Sequence, residues 1–145
     1  MSDEYGSGLV PSYYEYYGSP VKIVNSPEGV RVWRLSIDDG SWMAKNELFA
    51  KIVLDVGGEV YTRSVDRFVQ ETEAFRGHYL SGEGPVFALY ETVQAILDTA
   101  EREGRRLTPT EETLIRGIRR KTFVMFEEEL QRAGSPGADP DPPRP

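Results

Sequence analysis

Four groups of residues have types and spacings that bear on chemistry. Asp38, Asp39, Glu47 and Asp55 form a run of carboxylates. Paired carboxylates carry out acid–base work when burial drives their pKa values apart. These four fall at turns and on the solvent sides of expected strands, where carboxylates are ordinary. His78, in Arg76-Gly77-His78-Tyr79, is the chain's single histidine. With no companion histidine, and no carboxylate spaced to orient it, it reads as a surface side chain on a loop. Ser81-Gly82-Glu83-Gly84-Pro85 leads into a helical pattern, and free N–H groups at a helix start attract anions. Glu83 places a negative charge there, and no Lys follows in register, so the segment reads as a breaker loop. The fourth group is basic: Arg102, Arg105, Arg106, Arg116, Arg119, Arg120 and Lys121 stand against Glu103, Glu111 and Glu112 between 102 and 121.

The first three Arg of that basic segment meet the negative end of the preceding helix. Arg116, Arg119 and Arg120 present cations suited to an acidic protein surface. Thirteen Arg against four Lys matches a compositional bias of the source as well as a need for planar, bidentate contacts. A net charge of −7 argues against broad phosphate-backbone binding, because that affinity comes from cations releasing counterions. Direct nucleic-acid binding is therefore not expected. Cysteine is absent, which excludes disulfides, thiol chemistry and Cys-ligated metals. No cofactor or metal set is legible. Neither a membrane-spanning run nor a signal-peptide pattern appears, so the expected compartment is the cytoplasm.

The element that positions everything else is the stretch 85–104. Val86, Leu89, Tyr90, Val93, Ile96, Leu97 and Ala100 recur at helical intervals, Pro85 suits the first turn, and Gly104 suits the stop. A second helix starts at Thr108-Pro109-Thr110-Glu111, a capping box with proline at the first helical position. Its stripe is Leu114, Ile115, Ile118, Thr122, Met125, Phe126 and Leu130, with Phe123 at the margin and Val124 on the far side. A shorter helix is predicted at 65–76, capped by Ser64, from Val65, Phe68, Val69, Thr72 and Phe75.

Ahead of these helices the chain reads as β-structure. Strands are expected at 21–24 and 30–37, at 41–46 with less definition, at 48–56 and at 59–63. Turns at 25–29, at Asp38-Asp39-Gly40 and at Gly57-Gly58 join them. For 43–51 a helical turn is the competing assignment. The nine-residue alternation Leu48, Ala50, Ile52, Leu54, Val56 favours the strand and leaves Phe49 and Val53 on its other face. Residues 1–18, with five Tyr and few aliphatics, read as a flexible arm, and 134–145 as a disordered Pro/Asp-rich tail around a single domain at 19–133. The fold class is α+β: an antiparallel meander of four to five strands followed by three helices, two of them long and packed together.

No constellation of reactive groups emerges, so the expected function is non-enzymatic, by protein–protein contact. Tyrosine offers large contact area at low rotamer cost, and exposed apolar residues rimmed by charge mark docking surfaces. The predicted partner-facing residues are Tyr13, Tyr14, Tyr16, Tyr17, Phe49, Arg116, Arg119, Arg120 and Val124. An acidic, cysteine-free, Arg-biased chain with a strand-rich first part, a helical second part and a loose tail resembles small phage-encoded regulators of host RNA polymerase, especially those from phages of thermophilic hosts. The resemblance is one of layout, without a motif. It implies a protein that binds polymerase or its sigma subunit and inhibits or redirects initiation. Two further expectations come from other classes. One is an immunity- or antitoxin-like protein neutralising a basic toxin or nuclease; the other is a small carboxylate-dependent enzyme using the carboxylates Asp38, Asp39, Glu47 and Asp55 with His78.

Overall fold

The chain adopts the expected α+β class in a computed structural model that describes residues 10–55 and 58–145. Five antiparallel strands, β1 (Ser12–Tyr16), β2 (Ser19–Ser26), β3 (Gly29–Leu35), β4 (Trp42–Ala44) and β5 (Val60–Arg63), form one sheet in the order β4-β3-β2-β1-β5. The first four are successive hairpins. A short helix, α1 (Leu48–Val53), then carries the chain to the free edge of β1, where β5 pairs antiparallel. Helices α2 (Val65–Tyr79), α3 (Pro85–Arg102) and α4 (Pro109–Arg132) follow.

Three expectations are revised here. The first lies in 1–18, read as a flexible arm. Residues 1–9 fall outside the described part, but 12–16 form β1, which lies between β2 and β5. Tyr14 and Tyr16 stand in for aliphatics on one face of the strand and Tyr13 on the other, and Tyr17-Gly18 (φ 47° and 85°) make the two-residue turn into β2. Two consecutive positive φ values are the geometry whose twist matches that of the flanking strands.

The second concerns 48–56. An alternating register would bury Leu54, which is 74% exposed; helical spacing buries Leu48 and Ile52 instead. Those two cover the sheet face formed by Val21, Ile23 and Val32, with Tyr14, Tyr16 and Val60 at its margin. Both faces of the sheet are thus occupied, so Phe49 and Val53 point outward from a helix and not from an open sheet. The third concerns the tail. Beyond 134 the chain runs back over the opposite face of the sheet. Lys22 Nζ donates to the Gly137 carbonyl at 2.5 Å, and the Tyr13 hydroxyl donates to the Pro143 carbonyl. A side chain at Gly137 would meet the Trp33 indole at 2.8 Å and the Trp42 Cβ at 3.0 Å, so the backbone lies directly on these two residues.

The main core lies between the sheet and α2/α4. Tyr13, Leu35, Trp42, Val65, Phe68 and Phe123 form it, with the Phe68 ring 4.7 Å from that of Tyr13 and stacked 5.6 Å from that of Trp42. Phe123, expected at the margin of its helix, is central because α4 packs on α2 as well as on α3. The helix signals hold. Thr108 and Glu111 form the reciprocal capping box, and the Ser64 hydroxyl accepts from the Arg67 N–H at 3.1 Å. α2 runs one turn past the predicted end at 76.

Candidate protein interface

The groups able to carry charge chemistry in the interior are not those that the sequence singled out. Arg76, Glu73 and Glu127 are each fully enclosed between α2, α4 and the sheet. Arg76 Nη1 donates to Glu73 at 2.8 Å, and Nη2 donates to Glu127 at 2.5 Å and to the Gly40 carbonyl at 2.8 Å. Tyr90 Oη, from α3, donates to the second Glu73 oxygen at 2.7 Å. Trp42 Nε1, at 3.0 Å, and the Asp139 N–H, at 2.8 Å, complete the shell of Glu127. One guanidinium therefore ties together the β3–β4 turn, β4, three helices and the tail. Burial raises the pKa of Glu73 and Tyr90, while the two carboxylates hold that of Arg76 up. Lys22, buried beside the network with its ammonium 4.5 Å from the Trp42 ring, is lowered by burial to about 8. All these groups have protein partners and face inward. The arrangement fixes how the elements meet.

The carboxylates weighed for catalysis do not converge. Asp38 and Asp39 lie in the β3–β4 turn, where Asp39 accepts from the Ser41 N–H and hydroxyl; Glu47 precedes α1 and Asp55 follows it. His78 is exposed near the end of α2, edge-on to Tyr79. Among the described residues, no group of three or more His, Asp or Glu is placed to hold a metal ion. No described helix is long and apolar enough to cross a membrane.

The nine residues expected to face a partner are dispersed. Tyr13 is removed from that set: it is 1% exposed, at the centre of the core, because its strand position points toward α2. Tyr14 and Tyr16 are half-buried against the α1 side of the sheet, with the Arg34 guanidinium over the Tyr16 ring at 5.5 Å. Tyr17 and Phe49 are exposed, at 52% and 40%, and lie on the same side of the molecule as α1. Arg116 and Arg120 line a shallow depression with Arg67, Gln70 and Ser64. Arg119 instead enters a cleft between α2, α3 and α4 beside Glu73 and Tyr90, where burial lowers its pKa. Val124 is exposed on the outer side of α4, as its spacing predicted.

Two surfaces stand out once the side chains are placed. The first combines α1 with the β1–β2 turn. Phe49 and Val53 project from a helix of six residues and Leu54 from its C-terminal cap, and Tyr16 and Tyr17 line a depression with Ala50, Lys51 and Leu54. The second is a groove of about 570 Å³ between the start of α3, the last two turns of α4 and the β3–β4 turn. Leu80, Val86, Phe87, Met125, Phe126 and Leu130 supply its apolar lining, and Asp38, Asp39, Glu83, Glu128 and Glu129 its acidic one. No residue of this groove was predicted as partner-facing. Met125, Phe126 and Leu130 read as core from their spacing, and only the run Glu127-Glu128-Glu129 beside them hinted at an acidic edge.

No protein family, curated protein or solved structure matches the chain.

Proposed function

We propose that this chain is a non-enzymatic regulatory protein that acts by docking onto a protein partner through α1 and the β1–β2 turn. The observation that carries the reading is the concentration of exposed apolar side chains there. Of the ten large hydrophobic residues most exposed among those described, four (Tyr17, Phe49, Val53 and Leu54) belong to this turn and the α1 segment. A soluble fold tolerates scattered apolar residues, but a contiguous patch rimmed by charge, here Lys51 and Asp55, is characteristic of a contact surface. The tyrosines add rigid, amphipathic area. The full burial of Arg76 and Glu127 and the separation of His78 from Asp38, Asp39 and Asp55, which line other depressions, support a binding role over catalysis. The layout resemblance makes host RNA polymerase or its sigma subunit the first partner to test.

The experiment is affinity capture with purified polymerase holoenzyme and core enzyme, using the wild type and Leu54→Arg. Because Leu54 is so exposed, the variant should keep the melting temperature of the wild type. Retention of polymerase by the wild type, lost in Leu54→Arg, supports the reading, as does altered initiation in a sigma-dependent transcription assay. Absence of retention removes polymerase as the partner. Recovery from lysate of one protein by the wild type and the variant alike removes α1 as the surface.

A further inference from the structure

The groove between α3, α4 and the β3–β4 turn is a second surface, on the other side of the sheet from α1. We infer that it binds a short basic amphipathic segment of a polypeptide, whose apolar side chains enter between Phe87 and Phe126 while its Lys or Arg residues meet the acidic rim. The inference is independent of the role given to α1 and survives if that role fails.

The floor is built before any partner arrives. The Phe126 ring packs against the buried Arg76 guanidinium, 4.1 Å from ring centre to Cζ, so it is held from beneath by the most enclosed cation of the fold. Gly40 (φ 74°) abuts the edge of that ring, where an added Cβ would lie 2.8 Å from its Cζ. Phe87 is set edge-on against Tyr90, 5.7 Å between centres, and Tyr90 is anchored by Glu73. Met125 beside them supplies a side chain that adapts to different partners. A prearranged apolar floor lowers the ordering cost of binding.

The rim decides the chemistry of the occupant. Five carboxylates line the groove against one cation, Arg132, which already pairs with Glu129 at 2.6 Å. Such a rim repels nucleic-acid phosphates and anionic lipid headgroups and attracts Lys and Arg. The carboxylates are spread along the edges instead of converging, which fits several cations of a peptide and not one metal ion. The α4 stretch from Met125 to Arg132 is about 12 Å long at 1.5 Å per residue, the length of two helical turns of a partner.

The test uses two fluorescein-labelled 15-residue peptides of identical Leu/Lys composition. In one, Leu recurs at helical spacing; in the other the order is scrambled. Binding is read by anisotropy and located by amide chemical-shift changes on the full chain. The inference predicts at least tenfold tighter binding of the periodic peptide, weakening at high salt. Shift changes should cluster at Phe87, Met125, Phe126 and Leu130. Binding should fall about tenfold in Glu83→Lys/Glu128→Lys with the melting temperature unchanged. Equal binding of both peptides, shift changes spread over all acidic surfaces, or full binding by the charge-reversed variant would overturn it. So would sedimentation showing that a second copy of this chain already fills the groove.

Discussion

Replacing Glu127 by Gln tests whether the buried network holds the layers together. The side chain keeps its size, so packing is preserved and only the donor–acceptor pattern changes. Both carboxylate oxygens are in use: Oε1 accepts from the Asp139 N–H and Oε2 from Arg76, and Trp42 Nε1 lies about equally close to both. Whichever way an amide is turned, its NH₂ faces a donor, and Arg76 loses one of its two counter-charges. Breaking one partner of a buried ion pair costs about 3–5 kcal/mol. In a domain of this size each kcal/mol lowers Tm by about 2–4 °C, so the expected loss is about 6–20 °C. Against a total stability of roughly 5–15 kcal/mol, that is a large share. Urea unfolding followed by tryptophan fluorescence and by far-UV circular dichroism gives the number, with exposed Glu129→Gln as the control. A loss below about 1 kcal/mol would refute the reasoning, since it would mean that water already enters the network. The pairwise part comes from the cycle Arg76→Met, Glu127→Leu and the double variant. The double should cost less than the sum of the singles, because no lone charge is left behind at this pair.

Three further outcomes follow from particular contacts. Gly137→Ala should lower stability by about 1–3 kcal/mol and shift tryptophan emission, because its φ of +85° suits glycine and the added methyl meets Trp33 and Trp42. The depressed pKa of Lys22, about 8 instead of 10.5, means that between those values the unfolded chain binds the extra proton. Its contribution therefore rises with pH, by about 2 kcal/mol from pH 7.5 to 9.5; Lys22→Met should flatten that part of the urea-unfolding profile. Thr108→Ala removes the acceptor for the Glu111 N–H and should cost about 1 kcal/mol, seen as a lower urea midpoint at an unchanged slope.

What was legible in the sequence was whatever is encoded locally. The capping box at Thr108, the stripe of 85–102 and the Asp38-Asp39-Gly40 turn each carry their own signal within a few residues. Three features did not, for physical reasons. β1 is built from tyrosines, so an aliphatic count finds nothing there, although Tyr14 and Tyr16 alternate with Glu15 as a strand requires. Residues 48–54 satisfy both a period of 2 and a pair at i, i+4; the decision comes from the sheet face left open by Val21, Ile23 and Val32, which is a tertiary fact. The buried network did leave a trace. Arg76 stands four residues after Thr72 and eight after Phe68, and Glu127 four after Phe123, so charges occupy helix positions that otherwise read as core. A stripe read from its apolar members alone passes over them. For the interface, the exposure of Val124 was readable from periodicity, and that of Phe49 was expected from a strand that is in fact a helix, whereas the groove was not legible, because it joins residues from three segments far apart in the chain.

The bond from Tyr13 to Pro143 spans 130 positions along the chain. Contacts of such separation are the slowest to form, because a long loop must close before they return anything. During synthesis the four hairpin strands and α1 emerge early and α2 can cover Trp42 through Phe68, yet the part of that face under Gly137 stays bare until the residues after α4 have left the ribosome. A nascent chain stalled before residue 137 has emerged would thus hold Trp33 and Lys22 without the cover that the segment around Gly137 supplies, an invitation to chaperones withdrawn once that segment docks.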